Sequence, residues 1–177
     1  RHGGFAERVR GHWRWVLKLP EALEASSAGP LFCGGITVFS PLVEFDVRPT
    51  DRIGVVGIGG LGHLALQFAR AWGCEVTAFT SSEAKAEEAR RLGAHQVVSS
   101  TDATALKALA GQFDMVIVTA NVTLPWARYI AALAPRGRLH FVGAVLEPVP
   151  VGVFSLMGGR RSVSASPTGN PITMRRM

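Results

Sequence analysis

The stretch Ile53-Gly54-Val55-Val56-Gly57-Ile58-Gly59-Gly60-Leu61-Gly62 decides the fold. An apolar run from Ile53 to Ile58 closes into a glycine-rich turn. Leu61, Leu64, Ala65, Phe68 and Trp72 then mark an apolar stripe at helical spacing. Strand, turn and helix in that order form the context in which G-x-G-x-x-G holds a dinucleotide. Gly57 permits the tight turn, Gly59 lets the backbone approach a pyrophosphate, and Gly62 lets the helix pack close to the strand. The N–H groups at the helix start, around Gly60 and Leu61, then face the phosphates. Gly73 supplies the stop signal.

The next apolar stretch, Glu75-Val76-Thr77-Ala78-Phe79, runs into Thr80-Ser81-Ser82-Glu83-Ala84-Lys85. An NAD site places a carboxylate near this strand end, about twenty residues beyond the glycines, to hold the ribose 2′-hydroxyl. Here stand three hydroxyls and then a lysine. Hydroxyls and an ammonium suit a 2′-phosphate through charge-assisted hydrogen bonds, which a carboxylate would repel. The reading is NADP(H), not NAD(H). A plainer role also fits these residues: Ser82 caps the following helix, Glu83 lies at its positive end and Lys85 is solvated. The two roles are compatible.

The chain alternates regularly from Arg52 onward. Strands are expected at 52–57, 75–79, 95–98, 113–118, 138–142 and 161–165, and helices at 60–72, 83–92, 102–110 and 123–133. That alternation specifies an α/β fold, a doubly wound parallel Rossmann sheet of about six strands with helices on both faces. Asp102 is placed to cap a helix, Pro125 falls in an early turn, and Gly93 follows a basic last turn. Pro135-Arg136-Gly137 reads as the turn before the fifth strand. Residues 147–160, with Pro148, Pro150 and Gly158-Gly159, read as a loop with one short helix.

The entry is less regular. Phe5 to Arg10 and Trp13 to Pro20 alternate partly in polarity and read as short strands of a neighbouring domain. Helical stretches are expected at 21–25 and at 31–42, the latter despite its glycines.

A chain of 177 residues fits one domain, and its hydrophobic fraction of 47% is that of a globular protein. The longest apolar runs, such as Met115 to Val118, fall far short of the roughly 18 residues needed to span a bilayer. No membrane partner is expected. Nineteen basic against thirteen acidic residues give a net charge of +6. The basic residues are dispersed with few aromatics between them, so a polyanionic dinucleotide is a simpler partner than nucleic acid. Cys33 and Cys74 form no CxxC pair, and the expected location is the cytoplasm. The start at Arg1, with no charged-then-apolar order after it, reads as a piece of a longer protein. His2, His12, His95 and His140 have no ligand spacing, and His63 is expected to pack or cap locally.

Cys33-Gly34-Gly35-Ile36-Thr37-Val38-Phe39-Ser40-Pro41-Leu42, then Gly57 to Gly62, then Thr80 to Lys85, resemble the zinc-dependent medium-chain alcohol dehydrogenases. The likeness is strongest to their cinnamyl-alcohol-dehydrogenase-like branch. It extends over nearly the whole chain and includes Gly3-Gly4-Phe5-Ala6-Glu7. It implies a remnant of a GroES-like catalytic domain at 1–20 and an NADP-binding Rossmann domain at 21–177. It further implies that Cys33 is one ligand of a catalytic zinc and that Thr37 lies beside the nicotinamide. Gly57, Gly59, Gly60, Leu61 and Gly62 match the pyrophosphate loop. Thr80, Ser81, Ser82 and Lys85 match the group around the 2′-phosphate. Thr119, Gly143, Ser166, Pro167 and Thr168 match positions lining the nicotinamide half. Thr50 stands where the family usually has glycine. The other zinc ligands and the proton relay have no counterpart in this chain, so no residue is assigned a catalytic role.

The resemblance implies hydride transfer between NADP(H) and a primary alcohol or aldehyde, with zinc as Lewis acid in the full-length protein. Two alternatives stand beside it: a zinc-free reductase of quinone-oxidoreductase type, against which Cys33 speaks, and an NADP-binding module without catalysis. The family's habit also implies a homodimer joined edge to edge through the last strand, about 161–165.

Overall fold

A computed structural model describes residues 6–177. Its regular elements in chain order are α1 (Ala25–Ala28), α2 (Gly34–Glu44), β1 (Arg52–Val56), α3 (Gly62–Trp72), β2 (Glu75–Thr80), α4 (Ala86–Arg91) and β3 (Gln96–Ser99). They continue as α5 (Ala103–Ala108), β4 (Phe113–Val118), α6 (Trp126–Ala132), β5 (Leu133–Phe141), α7 (Val153–Met157), β6 (Ser162–Ala165) and α8 (Pro171–Met174). The six strands form one parallel sheet in the order β3-β2-β1-β4-β5-β6. The chain therefore winds outward from β1 to one edge, crosses back to β4 and winds to the other, leaving a crevice beyond the carboxyl ends of β1 and β4.

Strand side chains alternate between two faces, and both faces are covered. Ile53, Val55, Val76, Ala78, Met115 and Ile117 pack with Val38 and Leu42 of α2, Leu66 and Ala69 of α3 and Ala89 of α4. Val56, Phe79, Val116, Val118 and Leu139 pack on the other side with Leu106 of α5 and with Trp126, Tyr129 and Ile130 of α6. Gly54 leaves room there, since a Cβ would lie 2.9 Å from the Phe79 ring. Phe39 of α2 meets Phe68 and Trp72 of α3 edge-on, which locks the two helices together.

The alternation stands as expected, with local differences. Residues 6–20 contain no strand, only a 3₁₀ turn at Trp13–Trp15, because no partner backbone faces them. Gly3 and Gly4 lie outside the described residues. The helices expected at 21–25 and 31–42 are redistributed as α1, a 3₁₀ turn at Gly29–Phe32 and α2, with the break at Cys33. Pro135-Arg136-Gly137 is not a turn before β5 but an irregularity inside it. Phe113 pairs with Leu133 and Met115 with Arg138, so residues 134–137 bulge against Asp114. Arg136 takes φ +65° there, and its N–H donates to the Gly159 carbonyl at 2.7 Å. Pro125, expected within the first turn of a helix at 123–133, is instead the N-cap of α6, which starts at Trp126. Asp102 does cap α5, accepting from the N–H groups of Thr104 and Ala105 at 2.8 and 3.0 Å. The turn at Thr50 needs no positive φ, so the hydroxyl residue is accommodated without strain.

Among the described residues no single helix is long and apolar enough to cross a membrane.

Candidate functional site

The turn after β1 is built by two glycines. Gly57 takes φ +89°, and a Cβ on it would lie 2.8 Å from that of Ala120. A Cβ on Gly62 would fall 2.0 Å from the Gly57 carbonyl oxygen, so α3 starts directly against the strand end. Thr119, just beyond β4, donates its hydroxyl to the Val56 carbonyl at 3.0 Å and ties the turn to the neighbouring strand. Gly59 and Gly60 face open space, with nothing within 4 Å of an added Cβ. Their backbone and the N-terminus of the eleven-residue α3 thus form an uncovered cradle with positive polarity. His63 hydrogen bonds locally, its Nδ1 lying 3.1 Å from the Gly59 carbonyl oxygen.

Beside this turn lies a hollow of about 480 Å³ at the crevice between β1 and β4. Gly57 and Gly59 border it on one side, Thr80, Ser81, Ser82 and Lys85 on another, and Thr119 to Leu124 on a third. No carboxylate lines it. Lys85 spans the opening and donates Nζ to the Ile58 carbonyl at 3.0 Å. The Thr80 hydroxyl accepts from the Ser82 N–H at 3.2 Å. The Ser82 side chain makes no capping bond to the helix that follows, so the plainer role falls away for that residue.

A second, more open hollow of about 710 Å³ shares Gly59, Thr119 and Asn121 with the first and prolongs it past Gly60, Leu61 and Gly143 to Cys33. Cys33 is exposed at the N-terminus of α2. Its carbonyl accepts both the N–H and the hydroxyl of Thr37, at 3.0 and 2.7 Å. Thr37 is therefore buried one turn behind the groove wall and does not line it.

Ser166, Pro167 and Thr168 follow β6 and line neither hollow. Ser166 is instead engaged by His140 of β5, whose Nε2 lies 2.9 Å from Ser166 Oγ while Nδ1 lies 2.9 Å from Ser164 Oγ. His140 is fully buried against Phe45, and burial with the nearby Arg138 guanidinium lowers its pKa to about 4. The ring is a neutral strut between β5 and β6. A Cβ on Gly169 would meet Ser40 Oγ at 1.9 Å, so the segment after β6 presses directly on α2.

The groove thus brings together Cys33, Gly59, Gly60, Leu61, Thr80, Ser81, Ser82, Lys85, Thr119 and Gly143, with Gly57 and Gly62 shaping its floor. Ser100 and Thr101 after β3, and Asn121 to Leu124 after β4, also line it and were not singled out from the sequence. The signal for them is positional. They sit beyond the carboxyl ends of β3, the edge strand, and of β4, which flanks the reversal of strand order, and that placement becomes visible only once the order is known.

The residues fit a phosphorylated dinucleotide, because the open glycine cradle and the acid-free hydroxyl shelf lie along one groove. They do not by themselves fit a metal ion. Among the described residues no cluster of three or more His, Cys, Asp or Glu side chains could hold one, and Cys33 stands as a single thiol.

A family profile described as zinc-binding dehydrogenase matches residues 60–177. The chain belongs to that family. It is 56% identical over 176 residues to aldehyde reductase AdhA of Synechocystis sp., a match covering 99% of this chain and 52% of that protein. It is 41% identical over 170 residues to the probable cinnamyl alcohol dehydrogenase 3 of Oryza sativa, covering 95% and 46%. The structure of a cinnamyl alcohol dehydrogenase from Sorghum bicolor superimposes with a TM-score of 0.86 at 36% identity, over 90% of this chain and 46% of that one. That of the Helicobacter pylori enzyme complexed with NADP(H) gives 0.80 at 29%, over 92% and 46%. The chain spans about half the length of the curated relatives it matches.

Proposed function

We propose that this chain is the nucleotide-binding part of an NADP(H)-dependent dehydrogenase that interconverts primary alcohols and aldehydes with a catalytic zinc. One observation carries the reading: Thr80, Ser81, Ser82 and Lys85 line the hollow beside the glycine turn, and no carboxylate does. The diphosphate would rest on Gly59, Gly60 and the start of α3, held by Gly57, Leu61 and Gly62. The 2′-phosphate would meet the hydroxyls and Lys85. Thr119 and Gly143 would border the nicotinamide half, framed from behind by Thr37 and by Ser166, Pro167 and Thr168. Bound there, the cofactor supplies the hydride donor or acceptor. Leu61, Leu64, Val142 and Ala144 give that end of the groove an apolar wall. Cys33 is proposed as one zinc ligand. The names of the relatives support this reading, since they include aldehyde reductase, cinnamyl alcohol dehydrogenase and NADP-dependent alcohol dehydrogenase.

Titration with NADPH and NADH, followed by tryptophan fluorescence or heat, tests it. NADPH is expected to bind at least about tenfold more tightly, a difference of about 1.4 kcal/mol. Equal or reversed affinities would overturn the 2′-phosphate assignment.

The same reading includes a homodimer and a cytoplasmic location. β6 is an edge strand, and the preceding α7 exposes Val153, Phe154 and Met157, both features that favour a second copy. Cys33 and Cys74 are both free thiols, which suits a reducing compartment. Light scattering that gives a monomer mass at high concentration would sink the dimer.

A further inference from the structure

The hydroxyl ridge Thr80-Ser81-Ser82 has two sides. On one side it borders the groove that also holds Lys85. On the other it borders a separate hollow of about 410 Å³ between α4 and the edge strand β3, where Glu83 and Arg90 stand and Lys85 does not. Arg90, in the last turn of α4, is exposed, and among the described residues its guanidinium has no carboxylate or hydrogen-bond partner. Glu83 is the one carboxylate that lines this hollow.

A dianionic phosphate held by the ridge feels both sides. Lys85 meets such a phosphate from the groove side only, and Glu83 would repel a dianion from behind. An arginine lining the same hollow as Glu83 offsets that repulsion and offers a planar set of donors suited to phosphate oxygens. We propose that Arg90 is a second specificity-determining cation, flanking the Thr80-Ser81-Ser82 ridge opposite Lys85 and selecting a 2′-phosphorylated dinucleotide. This rests on the reading of that ridge as the 2′-phosphate shelf. Arg90 acts on the phosphate alone, so it contributes to NADPH affinity and not to NADH affinity.

The test is a set of dissociation constants for NADPH and NADH with the wild-type protein, R90Q and R90K at low ionic strength. Both replacements are tolerated in an exposed helical turn, and a thermal melt checks that they fold. R90Q is expected to weaken NADPH about three- to tenfold while NADH changes less than about twofold. R90K should recover most of the loss, and added salt should shrink the R90Q effect. A wild-type protein that prefers NADPH, with a preference that R90Q leaves within twofold, overturns this inference alone. A wild type without preference overturns it together with the reading beneath it.

Discussion

Lys85 donates its ammonium to the carbonyl oxygen of Ile58 at 3.0 Å, joining the segment after β2 to the turn after β1 across the mouth of the groove. An ammonium is a compact point charge on a flexible stem, so it can turn from that carbonyl to an arriving phosphate without moving the backbone. Lys85→Met is expected to weaken NADPH about tenfold and NADH less than twofold. Paired titrations read the ratio, and a loss shared equally by both cofactors would count against a 2′-phosphate contact.

Gly62 is pressed against Gly57, where an added methyl would lie 2.0 Å from a carbonyl oxygen. The two nearest atoms are both Gly57 backbone, which has no flexible side chain to give way. Gly62→Ala should cost about 2 kcal/mol or more in stability and abolish cofactor binding, as read by urea unfolding and titration. Gly60→Ala, at a position that meets nothing within 4 Å, is the control and should leave stability within about 0.5 kcal/mol.

His140 stays neutral in the folded chain because its pKa is lowered from 6.5 to about 4. Between those two values the unfolded chain takes up a proton that the folded chain refuses. The stabilisation it contributes is complete above pH 6.5, falls as pH drops toward 4 and changes no further below that. The swing is on the order of 3 kcal/mol. Its difference from His140→Gln across this window isolates the imidazole from the carboxylates. Parallel pH–stability curves for the two proteins would remove His140 as the cause.

The two thiols should behave differently toward alkylation. Burial first, then Asp51 and Asp114, push Cys74 up to about 11, and its Sγ donates to the Arg48 carbonyl at 3.4 Å. Cys33 is exposed in the groove. Near neutral pH the native protein should lose Cys33 to a maleimide at least about a hundredfold faster than Cys74. Saturating NADPH should slow the Cys33 reaction, and peptide mapping by mass spectrometry follows both sites.

Much of the fold is legible in the sequence because its signals are local. The glycine turn, the helical stripe from Leu61 to Trp72, the stop at Gly73 and the cap at Asp102 each lie within one element and its border, and each stands where its chemistry put it. The misreadings have non-local causes. Pro135, Arg136 and Gly137 carry turn chemistry, yet hydrogen bonding to Gly159 and pairing with β4 absorb them as a bulge. The alternating polarity of residues 6–20 resembles strands, but backbone becomes a strand only against a partner. Within the groove, the glycine turn and the Thr80 to Lys85 stretch are legible as local motifs, and residues of both line one hollow. Ser100, Thr101 and Asn121 are not, because their place depends on β3, β1 and β4 being aligned. The bond between His140 and Ser166 spans two strands and leaves no mark in either one's sequence.

The strand order also constrains how the molecule comes into being. β1 needs β4 on one flank, and Ile53 pairs with Met115 about sixty residues later, so the central ladder waits for a distant segment. During synthesis at about 5–20 residues per second, β1 and β2 exist for several seconds with an apolar edge unpaired. The glycine turn is made early, but Thr119, which buttons it to its neighbour, comes only with the strand that closes that edge. The cofactor cradle therefore acquires its final shape only once Thr119 has been made, about sixty residues after its own glycines.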